Sequence, residues 1–78
     1  MTSLTIYEIK ERLENAIPDL LVAWDSTTQK PVLIDKKHYT VIAYTYHKKW
    51  ILKAGISEYS IHIAGIISVL EKWDGKIS

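Results

Sequence analysis

Ile6, Ile9, Leu13, Ala16 and Ile17 recur at spacings of three, four, three and one, the stripe of an amphipathic helix. Thr5 precedes the stripe and Glu8 follows three residues later. This is a capping box, in which each side chain accepts the other residue's backbone N–H, and Leu4 and Ile9 flank it as a hydrophobic staple. The opposite face carries Glu8, Glu11, Arg12 and Glu14, with Glu8 and Arg12 at i,i+4 spacing. Pro18 disfavours helical backbone at Ile17. The pattern predicts a helix over 6–16.

The period then shortens. Leu20-Leu21-Val22-Ala23-Trp24 is an apolar run ended by the turn formers Asp25-Ser26-Thr27-Thr28-Gln29, and Pro31-Val32-Leu33-Ile34 answers it as the second arm of a hairpin. After Asp35-Lys36-Lys37 comes 39–46, almost wholly β-branched or aromatic and the strongest strand signal in the chain. Strict alternation along it puts Val41, Ala43 and Thr45 on one face and Ile42, Tyr44 and Tyr46 on the other, so both faces are partly apolar, as in a central strand. His47-Lys48-Lys49 leads into a fourth strand, 50–54, across a turn that lacks the Gly or Asn tight hairpins favour.

Gly55 breaks the strand pattern, and Ile56, Ser57 and Glu58 supply a staple residue, an N-cap and a first-turn acid for a second helix over 58–73. Lys72 in its last turn and Gly75 beyond it form the C-terminal signature. Tyr59, Ile63, Ile66, Ile67, Leu70 and Trp73 make one stripe, which Ile61, Ala64 and Val69 widen enough to require burial on more than one side. The expected fold is α+β in a single domain, 1–78: a helix, an antiparallel meander of three to four strands, and a helix, with both helices largely on one sheet face. In outline this order resembles double-stranded-RNA-binding domains. Their second helix opens with a basic cluster, however, and here that place is taken by Gly55-Ile56-Ser57-Glu58, so the family is not assigned.

Composition narrows the chemistry. A chain of 78 residues with no cysteine excludes a disulfide scaffold and a thiolate metal site. At 47% hydrophobic and net +1 it is not a disordered polyelectrolyte. No apolar run is long enough for a membrane span, and Met1-Thr2-Ser3 does not open a signal peptide, so a soluble, cytoplasmic protein is expected. His38, His47 and His62 lack metal-binding spacing, and no nucleophile elbow or glycine-rich phosphate loop occurs. Neither a metal, a cofactor nor a catalytic residue is expected.

Two tetrads stand out. Lys36-Lys37-His38-Tyr39 enters the long strand and His47-Lys48-Lys49-Trp50 leaves it, each setting two lysines and a histidine beside an aromatic ring. Lysines neutralise phosphates and aromatic rings stack on bases, so these eight residues are candidate nucleic-acid contacts; lysines at strand ends also serve as gatekeepers against edge aggregation. Gly65, beside Ala64 and near Ser68, permits close approach either to the sheet or to a second helix across a dimer axis. Ile61, Ala64, Gly65, Ser68 and Val69 are therefore the candidate oligomer interface. The sequence points first to a small, non-catalytic interaction or regulatory protein that docks on another protein, as a homodimer. A compact, neutral, apolar-rich chain of this kind is in keeping with phage- or plasmid-type accessory proteins. The alternative is a nucleic-acid-binding module using the tetrads.

Overall fold

A computed structural model describes residues 3–53, 59 and 61–77. Helix α1 spans Ile6–Ala16, strands β1 to β4 span Leu20–Trp24, Pro31–Asp35, Thr40–Tyr46 and Lys49–Leu52, and helix α2 spans Ile63–Glu71. The strands form one antiparallel meander in the order β1-β2-β3-β4, so the expected helix, four-stranded sheet and helix are all present. Among the described residues no helix is long and apolar enough to cross a membrane.

The capping box of α1 forms as its residues dictate. Thr5 N–H donates to Glu8 Oε1 at 3.0 Å and Glu8 N–H to Thr5 Oγ1 at 3.2 Å. Leu4, Ile6, Ile9 and Leu13 are buried, while Ala16 is exposed. The i,i+4 pair that forms is Lys10–Glu14 at 2.7 Å, not the expected Glu8–Arg12, because Glu8 is engaged by the cap. This pair also serves the sheet. Val22 N–H donates to Glu14 Oε2 at 2.9 Å and Lys10 Nζ donates to Val22 O at 3.1 Å, so backbone groups of edge strand β1 are met by the helix rather than left as a pairing template.

Register departs from simple alternation at one place. Leu33 pairs with Ala43 and Ile34 with Val41, leaving Ile42 as the extra residue of a β-bulge. Ile42 and Ala43 are consequently both buried, at 5% and 0% exposure, and Val41 moves to the face of Tyr44 and Tyr46. The expected split of Val41, Ala43 and Thr45 against Ile42, Tyr44 and Tyr46 is corrected accordingly. One sheet face contributes Leu20, Val22, Leu33, Ile42 and Ala43 to the core, joined by Ile6, Ile9 and Leu13 of α1 and Ile66 and Leu70 of α2, with Trp50 and Leu52 packed against it. Both helices lie there.

The second helix is shorter than its pattern implied. Tyr59, Ile61 and His62 stand outside it, and α2 begins at an N-cap, His62, with no side-chain capping hydrogen bond. Tyr59 forms a tight turn, its carbonyl accepting from His62 N–H at 2.8 Å, and its buried ring sends the hydroxyl to the Asp35 carboxylate on the sheet. Ser57, Glu58 and the end of the fourth strand at Ala54 lie outside the described residues. At the other end Trp73 leaves the helix to form a parallel bridge with Leu4, secured by Leu4 N–H to Lys72 O at 2.6 Å and Asp74 N–H to Leu4 O at 2.8 Å.

Candidate functional site

The two tetrads sit at opposite ends of β3, about 20 Å apart by strand rise, and form two separate places rather than one basic track. In the first, Lys36 to Tyr39 make the β2–β3 turn; Lys36 and Lys37 are exposed and Tyr39 is 89% exposed with φ +54°. His38 stays exposed but turns to the carboxylate: its Nδ1 lies 2.8 Å from Asp35 Oδ2. Lys37 N–H donates to Asp35 Oδ1 at 2.9 Å, and Tyr59 adds its hydroxyl. Asp35, 3% exposed, is thus a buried carboxylate met from three sides. The His38 hydrogen bond leads in holding its pKa below the ordinary value, and it outweighs the opposing effect of burial. The sequence reading gave Asp35 only a turn role. The Asp-x-x-His spacing was visible, but Tyr59 arrives from a distant segment.

The second tetrad shapes a groove. His47 and Lys48 form a two-residue turn with φ +50° and +63°, the left-handed backbone that such hairpins require and that Asn-Gly would adopt with little strain. Lys48, Lys49, Trp50 and Leu52 line one side of a space of about 510 Å³, with Ile67, Leu70, Glu71 and Trp73 on the other. Trp50 and Trp73 meet edge-on with ring centroids 5.9 Å apart. Trp73 is fixed by its indole N–H donating to Lys76 O at 3.0 Å, while the indole N–H of Trp50 is buried with no acceptor among the described residues. Gly75, at φ +83°, lets the C-terminal segment pass close to Lys48, whose Cβ and Cδ would stand 3.6 Å from any Cβ there. His47 contributes only an edge contact with Tyr46, at 4.1 Å between centroids.

Four of the five candidate oligomer-interface residues are exposed. Ile61 is 86% exposed in the turn before α2; Ala64, Gly65 and Ser68 are exposed on the helix, whereas Val69 packs against the core. Gly65 does not approach the sheet, since a Cβ built there meets nothing within 4 Å. Gly65→Ala is accordingly expected to stabilise the protein by about 0.5–1 kcal/mol, raising the thermal midpoint by a few degrees. A lower midpoint in a calorimetric scan would mean that the glycine has a packing role.

A third surface was not singled out from the sequence. Leu21 and Ala23 of β1, Val32 and Ile34 of β2, Val41, Tyr44 and Tyr46 of β3, and Ile51 of β4 share the sheet face turned away from both helices. None of them belongs to the main core cluster, although Val32 is itself buried, at 9% exposure. Val41, Tyr44 and Tyr46 are 37%, 38% and 57% exposed, and the strand positions of this face carry one ammonium, Lys49, and no carboxylate.

Among the described residues no group of three or more His, Asp or Glu side chains could hold a metal ion. Comparison with protein-family models, with curated proteins and with solved structures finds no match to this chain.

Proposed function

We propose that this protein is a small docking module that acts as a homodimer, two copies joined through the open faces of their sheets. The apolar face described above carries the reading: a contiguous apolar sheet surface, in a chain this small, is an interface rather than an ordinary solvated face. A second copy suits it better than a partner of opposite charge, because the face offers almost no charge to match. Its size also suits self-association. Four strands about 4.8 Å apart and about five residues long present roughly 300 Å² in projection, and closing two such faces buries on the order of 1,000 Å² of accessible surface. That is the lower end of specific interfaces and corresponds to micromolar association. Isologous packing of two sheets at about 10 Å, side chains interdigitating, needs no added element. The paired copies would then present outward their helices, the turns Lys36–Tyr39 and His47–Lys48, and the exposed side of α2.

Sedimentation equilibrium at about 100 micromolar tests this, since a micromolar dimer is then the main species. A two-chain mass is expected, falling to the 9.0 kDa monomer in Val41→Glu/Tyr44→Glu with its circular dichroism unchanged. A monomeric wild-type chain at that concentration defeats the proposal. So does a dimer that survives these substitutions but is dissociated by Ile61→Glu, which would put the interface on the outer side of α2.

A further inference from the structure

The groove between β4 and α2 lies on the helix side of the sheet, and Lys49 is its one lining residue whose strand position also belongs to the open face. Its volume of about 510 Å³ falls within the range of small-molecule sites. Its walls are held before any ligand arrives. Trp73 is fixed by the Leu4 bridge and by its hydrogen bond to Lys76 O, and Trp50 by its pairing with Thr45 and its packing on the core. Fixed walls reduce the ordering cost of binding.

The chemistry of the lining selects a class. Two indoles supply flat, polarisable surface and Leu52, Ile67 and Leu70 supply apolar wall, which suits a planar ring. Lys48 and Lys49 stand at the groove with no ion-pair partner among the described residues, opposed by the single carboxylate of Glu71. The local charge is therefore positive. We infer that this groove binds a planar aromatic anion, the ring lying among Trp50, Trp73 and the aliphatic wall and the anionic group facing the ammoniums of Lys48 and Lys49. Nucleobase phosphates and aromatic carboxylates both have this chemistry.

Titration of the full chain followed by the indole N–H resonances provides the test, with adenosine monophosphate and naphthoate as probes and adenosine, naphthalene methanol and inorganic phosphate as half-ligands. The resonances of Trp50 and Trp73 are expected to shift saturably with one or both ring anions. Trp24, whose ring packs beside Tyr7 instead, should remain in place. Whichever probe binds tighter names the source. Lys48→Gln/Lys49→Gln should weaken binding about fivefold or more and Glu71→Gln should strengthen it about twofold, the order expected of partly exposed charges. The inference is overturned if neither ring anion saturates by about 5 mM, an affinity weaker than about 3 kcal/mol. It is equally overturned if the neutral rings bind as well as the anions, or if the lysine replacements change nothing. Because Lys49 also stands on the open face, Lys48→Gln alone, which leaves that face unchanged, should weaken binding in the same direction and keeps this test separate from the oligomeric state.

Discussion

Leu33→Ala is expected to remove about 3–5 kcal/mol of stability, and Ile34→Ala, one residue on, only about 1 kcal/mol. Leu33 is fully buried on the central strand β2, paired between Val22 and Ala43 and covered by both helices, so truncating it leaves a cavity that a packed interior cannot close. Ile34 turns to the open face, and part of its surface already meets water. A chain of 78 residues holds about 4–12 kcal/mol in all, so the first substitution brings it near the edge of folding and the second does not. Urea midpoints with unchanged slopes measure the difference. They should be taken below about 1 micromolar, where mass action favours the monomer, and the Ile34→Ala deficit should grow as concentration is raised. Equal losses at the two positions in dilute solution would mean that the second face is covered within one chain.

Acid is expected to unfold the protein by way of three carboxylates. Asp35 is held below the ordinary value of 3.8, chiefly by His38. Asp25 is likewise lowered, by the Thr28 and Thr27 N–H groups of its loop. Burial pushes the Glu14 carboxyl up, but the Lys10 and Val22 hydrogen bonds and the Lys10 charge outweigh it, leaving its pKa below 4.5. Between these lowered folded values and the ordinary ones, the unfolded chain binds more protons than the folded one, so stability rises with pH across that window. The contribution is complete above about pH 5 and drains away as pH falls through the folded values. Asp35→Asn keeps the shape and an acceptor for Lys37 N–H but removes the charge facing His38. Its denaturation midpoint should therefore lie below wild type at pH 6, and the gap should narrow as pH falls below 3.8. A constant gap between the two curves at all pH values would assign Asp35 a role in packing alone.

What could be read in advance followed the range over which each signal acts. The capping box of α1 is complete within four residues, and it formed with the expected partners. Strands and turns were likewise local, and even the His47-Lys48 turn, short of Asn or Gly, closed where the apolar runs required. The bulge at Ile42 was hidden because alternation carries no mark of an extra residue, and only the register against Leu33 and Ile34 reveals it. The hold of Tyr59 on Asp35 was hidden because the two stand far apart in the chain and no local pattern links them. The groove was half legible: Lys48, Lys49 and Trp50 stood out as a cluster, while Trp73 was counted as helix stripe and joins them only through its bridge to Leu4. The open face was visible as apolar residues on both sides of β3. It was read as the mark of a strand buried on both sides, and the placement of both helices on one side changes its meaning.

The Leu4–Trp73 bridge has a bearing on the order of events during folding. Every strand pairing in the meander joins neighbours, and such contacts close short loops at small entropic expense. The bridge joins residues separated by nearly the whole chain, so it gains little until the sheet and α1 have brought its two halves together. It is then a late clasp on an earlier-formed body. Because Trp73 is both the clasp and a wall of the groove, that wall reaches its place only when the clasp closes, and the groove is among the last features to form.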